Sequence, residues 1–421
     1  MSSRHTVAYN WICSQIGARE HFAVPRALHQ DGKLATLYTD FWAGAVVRNF
    51  SFGKLRPLAA RFHSNFNDQS DLVRSWNFRS LAWEFLLRRK FGRNPYHGFI
   101  EVGQRFARRV REDLKRRTDL NPNSIFFAYD TGALETLAWC REQKIKCVLN
   151  QMDPNRVEVE LVRAEEKQWP GWAAQPIQVP EEYFIRREQE WALADRVVVN
   201  SEFSRQALIG QGVSPEKLAI IPLCYEAKNE DGNNSSVTED ENGSFKTSAA
   251  TPLRVLFLGQ VILRKGIQYL LAAARQLECE PVHFDVVGPI GISPAAISLV
   301  PSNVTFHGRT GRDEAVAWYR RSHVFVLPTL SDGFAITQLE AMAHGLPVIA
   351  TPNCGEVVRD GVDGFVVPPR DVEALVQAFR KYLANLELIK TQRTAALVKA
   401  RQFTLPRLAE NLARLETDLA R

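Results

Sequence analysis

The sequence is poor in the signals that mark most specialised chemistries. Of its 421 residues six are cysteine, at positions 13, 140, 147, 224, 279 and 354, and none forms a C-x-x-C pair. Such usage implies neither a disulfide framework nor a zinc site, and fits free, buried thiols in a reducing compartment. The nine histidines never fall at H-E-x-x-H or H-x-H spacing, so no metal held by protein side chains is expected. No run of 18 apolar residues is present, which excludes a bilayer-spanning helix of the usual kind. The start, MSSRHTVAYNWICSQIGAREHF, lacks the charged head, apolar run and cleavage site of a signal peptide, so a cytoplasmic location is expected. No G-x-G-x-x-G follows any strand candidate, which argues against a dehydrogenase, and no D-x-D occurs.

What is present is ordinary globular material, 45% hydrophobic and 24% charged, long enough for two domains and at most three. The net charge of +6 is local. Residues 54–117 alone carry 16 basic and 6 acidic side chains, while residues 226–421 carry 21 and 22. A regional excess without a recognised binding motif does not point to nucleic acid.

Residues 226–251 are almost all Asn, Ser, Gly, Glu, Asp and Thr and cannot bury enough surface to order themselves; they read as a flexible linker or surface loop. After them, short apolar runs alternate with amphipathic segments. Leu253–Gly259, Val282–Gly288, Val304–His307, Val324–Leu327, Val348–Ala350 and Phe365–Val367 read as strands. Ile267–Gln276, Asp313–Arg320, Ile336–His344 and Val372–Leu383 read as helices. The first half predicts strands at Thr6–Tyr9, Ala35–Tyr38, Ile125–Ala128, Cys147–Asn150, Val197–Asn200 and Ala219–Ile221. Its helices are expected at Arg19–Gln30, Ala133–Arg141, Glu182–Leu193 and Ser201–Ile209. The rhythm is α/β, with two doubly wound, Rossmann-like parallel sheets in tandem: 1–225, then 252–403 after the linker. A final helix from 404 to 421, with Thr404 as N-cap, is expected to pack back on the first domain. Ligands of such sheets sit beyond the C-terminal strand ends, so two of them facing each other make a cleft.

Two motifs carry chemistry. In PTLSDGFAITQLEAMAHGLPVI, Pro328–Ile349, a strand runs into a loop with Asp332 and Gly333 and then into a helix near Ala335–Ile336. A helix N-terminus suits a phosphate, and Gly333 permits close backbone approach. Asp332 and Glu340 can then contact opposite ends of a ligand whose phosphates lie between them, the layout of a nucleotide-diphosphate sugar. A buried helix with an incidental acid is the plain alternative. In GQVILRKG, Gly259–Gly266, Arg264 and Lys265 stand before a helix, where they could neutralise a departing diphosphate.

The second half resembles a family 4 glycosyltransferase of the GT-B fold, through VLFLGQVILRKGIQYLLAA, VFVLPTLSDGFAITQLEAMAHGLPVIAT and GEVVRDGVDGFVVPPRDVEAL. Leu193–Leu223 resembles the segment that closes the N-terminal domain in that family. The resemblance implies a retaining, metal-independent transfer of a sugar from a UDP- or GDP-type donor to a glycan, lipid-linked or small-molecule hydroxyl, without a cofactor, in cell-envelope polysaccharide synthesis. It implies that Asp332, with backbone groups of Gly333, Phe334, Ala335 and Ile336, holds the donor sugar and phosphate, that Glu340 holds the ribose, and that Lys265 binds the diphosphate. Gly259 would open the donor loop. Two departures stand out. The family's usual Glu is Asp332 here, which shifts the carboxylate by ~1.5 Å. The family's acceptor-side His is Met152, leaving Gly17, Gln151 and Asp153 as acceptor-side candidates, although Asp153-Pro154 is equally a turn signal. These departures keep open an inert sugar-nucleotide-binding member of a protein complex, and the fold keeps open an epimerase.

The basic segment bears on the acceptor. RFARRVREDLKRR, Arg105–Arg117, places Phe106, Val110 and Leu114 on one stripe among cations. One reading is contact with an anionic membrane surface at the inner face or a lipid-linked acceptor. The other, and commoner, is a helix packed on the sheet with a solvated basic face.

Overall fold

The structure, a computed structural model, describes residues 9–43, 61–66, 70–77, 94–226, 247–248 and 250–420. Among them, β1 (Asn10–Gln15), β2 (Leu34–Thr39), β3 (Val73–Ser75), β4 (Ser124–Tyr129), β5 (Lys146–Asn150), β6 (Arg196–Val199) and β7 (Leu218–Ile220) form one parallel sheet. Its order is β3-β2-β1-β4-β5-β6-β7. Every residue of β4, SIFFAY, is buried, because helices cover both faces and leave no side for a polar alternation. Helices Ala23–Gln30 and Leu405–Leu419 cover one face. Helices Pro95–Leu114, Leu134–Glu142, Glu181–Leu193 and Glu202–Gly210 cover the other.

The second sheet is also parallel and has the order β10-β9-β8-β11-β12-β13. Its strands are β8 (Leu253–Leu258), β9 (Val282–Val287), β10 (Val304–Gly308), β11 (Val324–Leu327), β12 (Val348–Ala350) and β13 (Gly364–Val366). Its core joins helices Ile267–Gln276, Ile336–Ala343, Val372–Ala384 and Glu387–Ala400. In both sheets the chain leaves a central strand in one direction and returns to its other side, at β1/β4 and at β8/β11. Loops diverge at such points and leave a crevice at the carboxyl ends of the strands.

Several sequence expectations shift. The first strand lies at Asn10–Gln15, after the expected Thr6–Tyr9, of which residues 6–8 fall outside the described residues. The helix expected from Arg19 begins at Ala23, because Glu20, His21 and Phe22 all take left-handed φ, 49°, 54° and 61°, and break the α ladder. Of the proposed linker, residues 227–246 and 249 lie outside the described residues, as do 54–60, 67–69 and 78–93 of the basic segment. The rest of that segment includes one long helix, Pro95–Leu114, whose Phe106, Val110 and Leu114 are buried against the sheet. That stripe is therefore core and is not available to a membrane.

One helix of the first half, Arg156–Gln168, was not expected. Its Glu158 and Glu165 lie about two turns apart, on one face. Both turn to the second domain: Glu165 is fully buried and accepts from Gln268 Nε2 (2.9 Å), Tyr269 OH (2.7 Å) and Arg370 Nε (2.6 Å). The chain after it continues the contact, with Ala174 N donating to Gly291 O (3.0 Å) and Ser293 N to Trp172 O (2.7 Å). In the other direction, Leu405, Leu408, Leu412, Leu415 and Leu419 of the last helix enter the first domain's core, and Trp11 Nε1 donates to Glu416 Oε2 (2.8 Å).

Candidate functional site

A cleft of about 1070 Å³ opens at the strand ends where the domains meet. Ser14–Ile16 at the end of β1, Tyr129–Gly132 at the end of β4, and Met152 and Asp153 after β5 line its first-domain wall, while Gln260 and Arg264 after β8 line the other.

The second-domain candidates gather behind Arg264. Val261–Gly266 forms a tight turn whose last residue, Gly266, has φ 74° and lies so close to the Pro328 carbonyl that a Cβ would overlap it. This contact sets the turn after β8 directly against the loop after β11. Lys265 Nζ makes an ion pair with Asp332 Oδ2. Arg264 donates to Ser331 O (2.9 Å) and pairs with Glu158 Oε2 (3.3 Å) from the first domain. Ser331 Oγ donates to the same Glu158 oxygen (3.0 Å). Burial alone would raise the Asp332 carboxyl, but Lys265 and then Arg264 outweigh it and hold it below the usual carboxylate range. Glu158 goes the other way: burial pushes it up to about 7 despite Arg264.

Around the helix that starts at Ile336, the groups are already engaged. Asp332 N donates to Asn353 O (2.9 Å) and Ala335 N to Cys354 O (3.0 Å). Phe334 is buried, with its ring beside Phe403 at 6.1 Å between centroids. The close approach that Gly333 permits is taken by protein: a Cβ there would overlap the Met152 carbonyl of the first domain. Glu340 stands apart from the Lys265–Asp332 pair and accepts from Tyr319 OH (2.7 Å), whose ring stacks on His344 at 5.1 Å. Gly259, at the end of β8, donates its N–H to Val287 O (2.9 Å), with open space where a Cβ would lie.

The three residues expected on the acceptor side separate. Gln151 is fully buried, accepting from Trp191 Nε1 (2.8 Å) and donating to Asp153 O (2.9 Å), so it braces the loop from behind and does not line the cleft. Asp153 does line it, and is held by Arg187 at 2.8 Å. Arg187 is itself buried, pairs also with Asp130, and donates to Asn155 Oδ1 (2.9 Å). Gly17, at φ 77°, sits in the strained turn after β1 and donates its N–H to Asp40 Oδ1 (2.8 Å). Glu20, in the same turn, is pushed up to about 7 by burial.

Sequence reasoning missed Glu158, Tyr319, Arg19 and Arg187, while Arg61, Arg105 and Arg109 of the first-domain wall lie in the basic segment it had singled out. Glu158 comes from the other half of the chain, and only its spacing from Glu165 on one helical face hinted that the helix had a polar partner. Ser331 lies inside the motif Pro328–Ile349, next to Asp332.

Comparison with known proteins supplies the context. Residues 252–385 match the family model described as Glycosyl transferases group 1. A D-inositol 3-phosphate glycosyltransferase of Streptomyces griseus subsp. griseus is 34% identical over 118 residues, 27% of this chain and 25% of that protein. An uncharacterized 41.2 kDa protein in the cps region of Klebsiella pneumoniae is 24% identical over 185 residues, 44% and 50% of the two chains. The chain spans about half, or less, of the length of these curated relatives. Among solved structures, a sucrose-phosphate synthase from Thermosynechococcus elongatus superposes with TM-score 0.65 at 18% identity, over 98% of this chain and 99% of that one. Anabaena HepE in complex with UDP and glucose superposes with TM-score 0.58 at 14% identity, over 97% and 100%. Among the described residues no helix is long and apolar enough to cross a membrane.

Proposed function

We propose that this GT-B protein, whose second domain is a group 1 glycosyl transferase domain, moves a sugar from a nucleotide-diphosphate donor to a hydroxyl acceptor in the cleft. The observation that carries the reading is the meeting of Arg264, Lys265 and Asp332. Two loops bring them to the second-domain side of the cleft, one from the end of β8 and one from the end of β11. Charge grows on a diphosphate as its bond to the sugar breaks, and preorganised cations stabilise it most at that moment. Lys265 and Arg264 are both held by carboxylates, Asp332 and Glu158, so their positions are set before a phosphate arrives. The start of helix Ile336–Ala343 adds the positive end of a helix dipole. Asp332 is proposed to hold donor sugar hydroxyls and Glu340 the ribose. Transfer is proposed to proceed with retention and without metal, the leaving phosphate itself taking the acceptor proton on the face it departs from. The HepE structure with UDP and glucose supports a nucleotide-sugar donor, and the relative from the cps region supports a place in cell-envelope polysaccharide synthesis.

Incubation with UDP-, GDP- and ADP-sugars tests the reading. Slow nucleotide release from one donor is expected, and Lys265→Ala should reduce its kcat by ~100-fold or more. A near wild-type rate in that variant would remove Lys265 from the reaction. Isomerised sugar without release would make the protein an epimerase.

A further inference from the structure

The end of β1 carries two buried polar atoms that have no hydrogen-bond partner among the described residues, Ser14 Oγ and Gln15 Oε1. Ser14 is 2% exposed and Gln15 1%, yet both residues line the cleft. They stand on a rigid element. β1 lies inside the sheet, with Ser14 opposite Tyr38 of β2 on one side and Ala128 of β4 on the other. This is also the point where the chain reverses its direction across the sheet and a crevice opens.

The orientation of the Gln15 amide is set by its neighbours. Its Nε2 donates to Gly17 O (2.9 Å) and Arg19 O (3.5 Å), and turning the amide over would set its oxygen against those two carbonyl oxygens. Oε1 is therefore the atom left over. Buried polar atoms without partners are costly, and a ligand that completes them recovers that cost. Their chemistry narrows the ligand. An amide oxygen only accepts, and so do the oxygens of an ionised diphosphate, which therefore cannot pair with Gln15 Oε1. A sugar hydroxyl donates and accepts, and fits both atoms. The same wall offers aromatic surface. Tyr96 packs edge-on against Phe99 (5.8 Å) and Tyr183 (5.1 Å), and Phe99 remains 51% exposed. The electron-rich face of such a ring accepts the C–H side of a pyranose.

We propose that the first-domain wall binds a pyranose acceptor through its hydroxyls, one on Ser14 Oγ and one on Gln15 Oε1, and that these two residues select the acceptor. This deepens, and rests on, the transferase reading: the nucleotide stays with the second domain and the acceptor ring sits against the first.

The test is ligand-observed NMR titration of the full chain with the methyl glycosides of glucose, galactose, mannose and N-acetylglucosamine, with and without saturating UDP or GDP. At least one glycoside is expected to bind, in the presence of nucleotide as well as its absence. Two of its monodeoxy analogues should bind the wild type about tenfold more weakly or worse, because each leaves a buried polar atom unpaired. Ser14→Ala should weaken the parent glycoside by a similar factor and leave one of those two analogues no weaker than it is with the wild type. Gln15→Met should do the same for the other analogue. Both readings are ratios of affinities and do not depend on how much of a variant folds. Because Ser14 Oγ has no partner in the fold, Ser14→Ala should leave thermal melting unchanged or raise it. No binding of any glycoside, equal binding of all monodeoxy analogues, an affinity that Ser14→Ala leaves unchanged, a lowered melting temperature in that variant, or competitive displacement by nucleotide would each overturn the proposal. Unchanged affinity would give the two atoms to ordered water, and displacement would give the wall to the donor. Nucleotide release from donor sugars, measured on the same preparation, keeps the two readings apart. Hydroxyl-dependent glycoside binding without release from any donor would sink the transferase reading alone, and release without such binding would sink this one alone.

Discussion

Glu158 shows how far one side chain can depart from what its own sequence neighbours suggest. In the run RVEVELVRAEEKQ it looks like a solvated helix acid. In the fold it is held between domains by Arg264 and Ser331, and burial raises it to about 7. A carboxyl raised above its ordinary value favours the folded state most when protonated. Its contribution is therefore full below about 4.5 and is lost as pH rises through about 7. Glu158→Gln should remove a slope of up to ~1.4 kcal/mol per pH unit across that window. Urea denaturation at several pH values between 4.5 and 8 checks this; parallel wild-type and variant curves would show that Glu158 is not the titrating group. Asp332 carries the opposite sign, and its stabilising ion pair with Lys265 should weaken only in acid.

Elements rather than residues decide how the domains meet. Helix Arg156–Gln168 belongs to the first half of the chain, yet its Glu165 gathers three donors from the second domain. Removing one side of such a buried pair leaves the remaining donors uncompensated. Glu165→Ala should cost ~3 kcal/mol or more and should speed hydrogen exchange in helix Ile267–Gln276 before exchange in β1 or β4. Uniform acceleration throughout would contradict a local fastening. Most of the strands were legible as apolar runs, since parallel strands buried on both faces leave little else to read. The helix start at Ala23 was not, because the three left-handed residues before it are held by tertiary packing, with Phe22 in the core against Trp42, rather than by propensity.

At the scale of the whole molecule, the last helix ties the two ends of the chain together. Leu405–Leu419 sends five leucines into a core that holds Trp11, Phe22 and Leu37 from near the N-terminus together with Ile125, Val148 and Val198 of the later strands. Leu412→Ala should destabilise the protein by ~2–5 kcal/mol, read as a lowered urea midpoint. If the midpoint is unchanged, the helix is dispensable to that core. The charge distribution also takes its meaning at this scale. The described part of the basic segment is divided by the fold: its apolar stripe goes to the core, as the commoner of the two sequence readings had it, while Arg105 and Arg109 go to the cleft wall.

The α/β alternation, the two parallel sheets and the two motifs that carry Arg264, Lys265 and Asp332 were legible in the sequence. Each of these depends on local spacing: apolar runs of strand length, a glycine at a turn, a cation pair before a helix. What only the tertiary structure decided is which groups face one another. The pairing of Lys265 with Asp332, the seat of Gly333 on the Met152 carbonyl, the inward turn of Gln151 and the meeting of Glu158 with Arg264 join loops far apart in the chain. The reason is physical. Spacing along a chain sets direction within one element, but the distance between two elements is set by the packing of both against a common core.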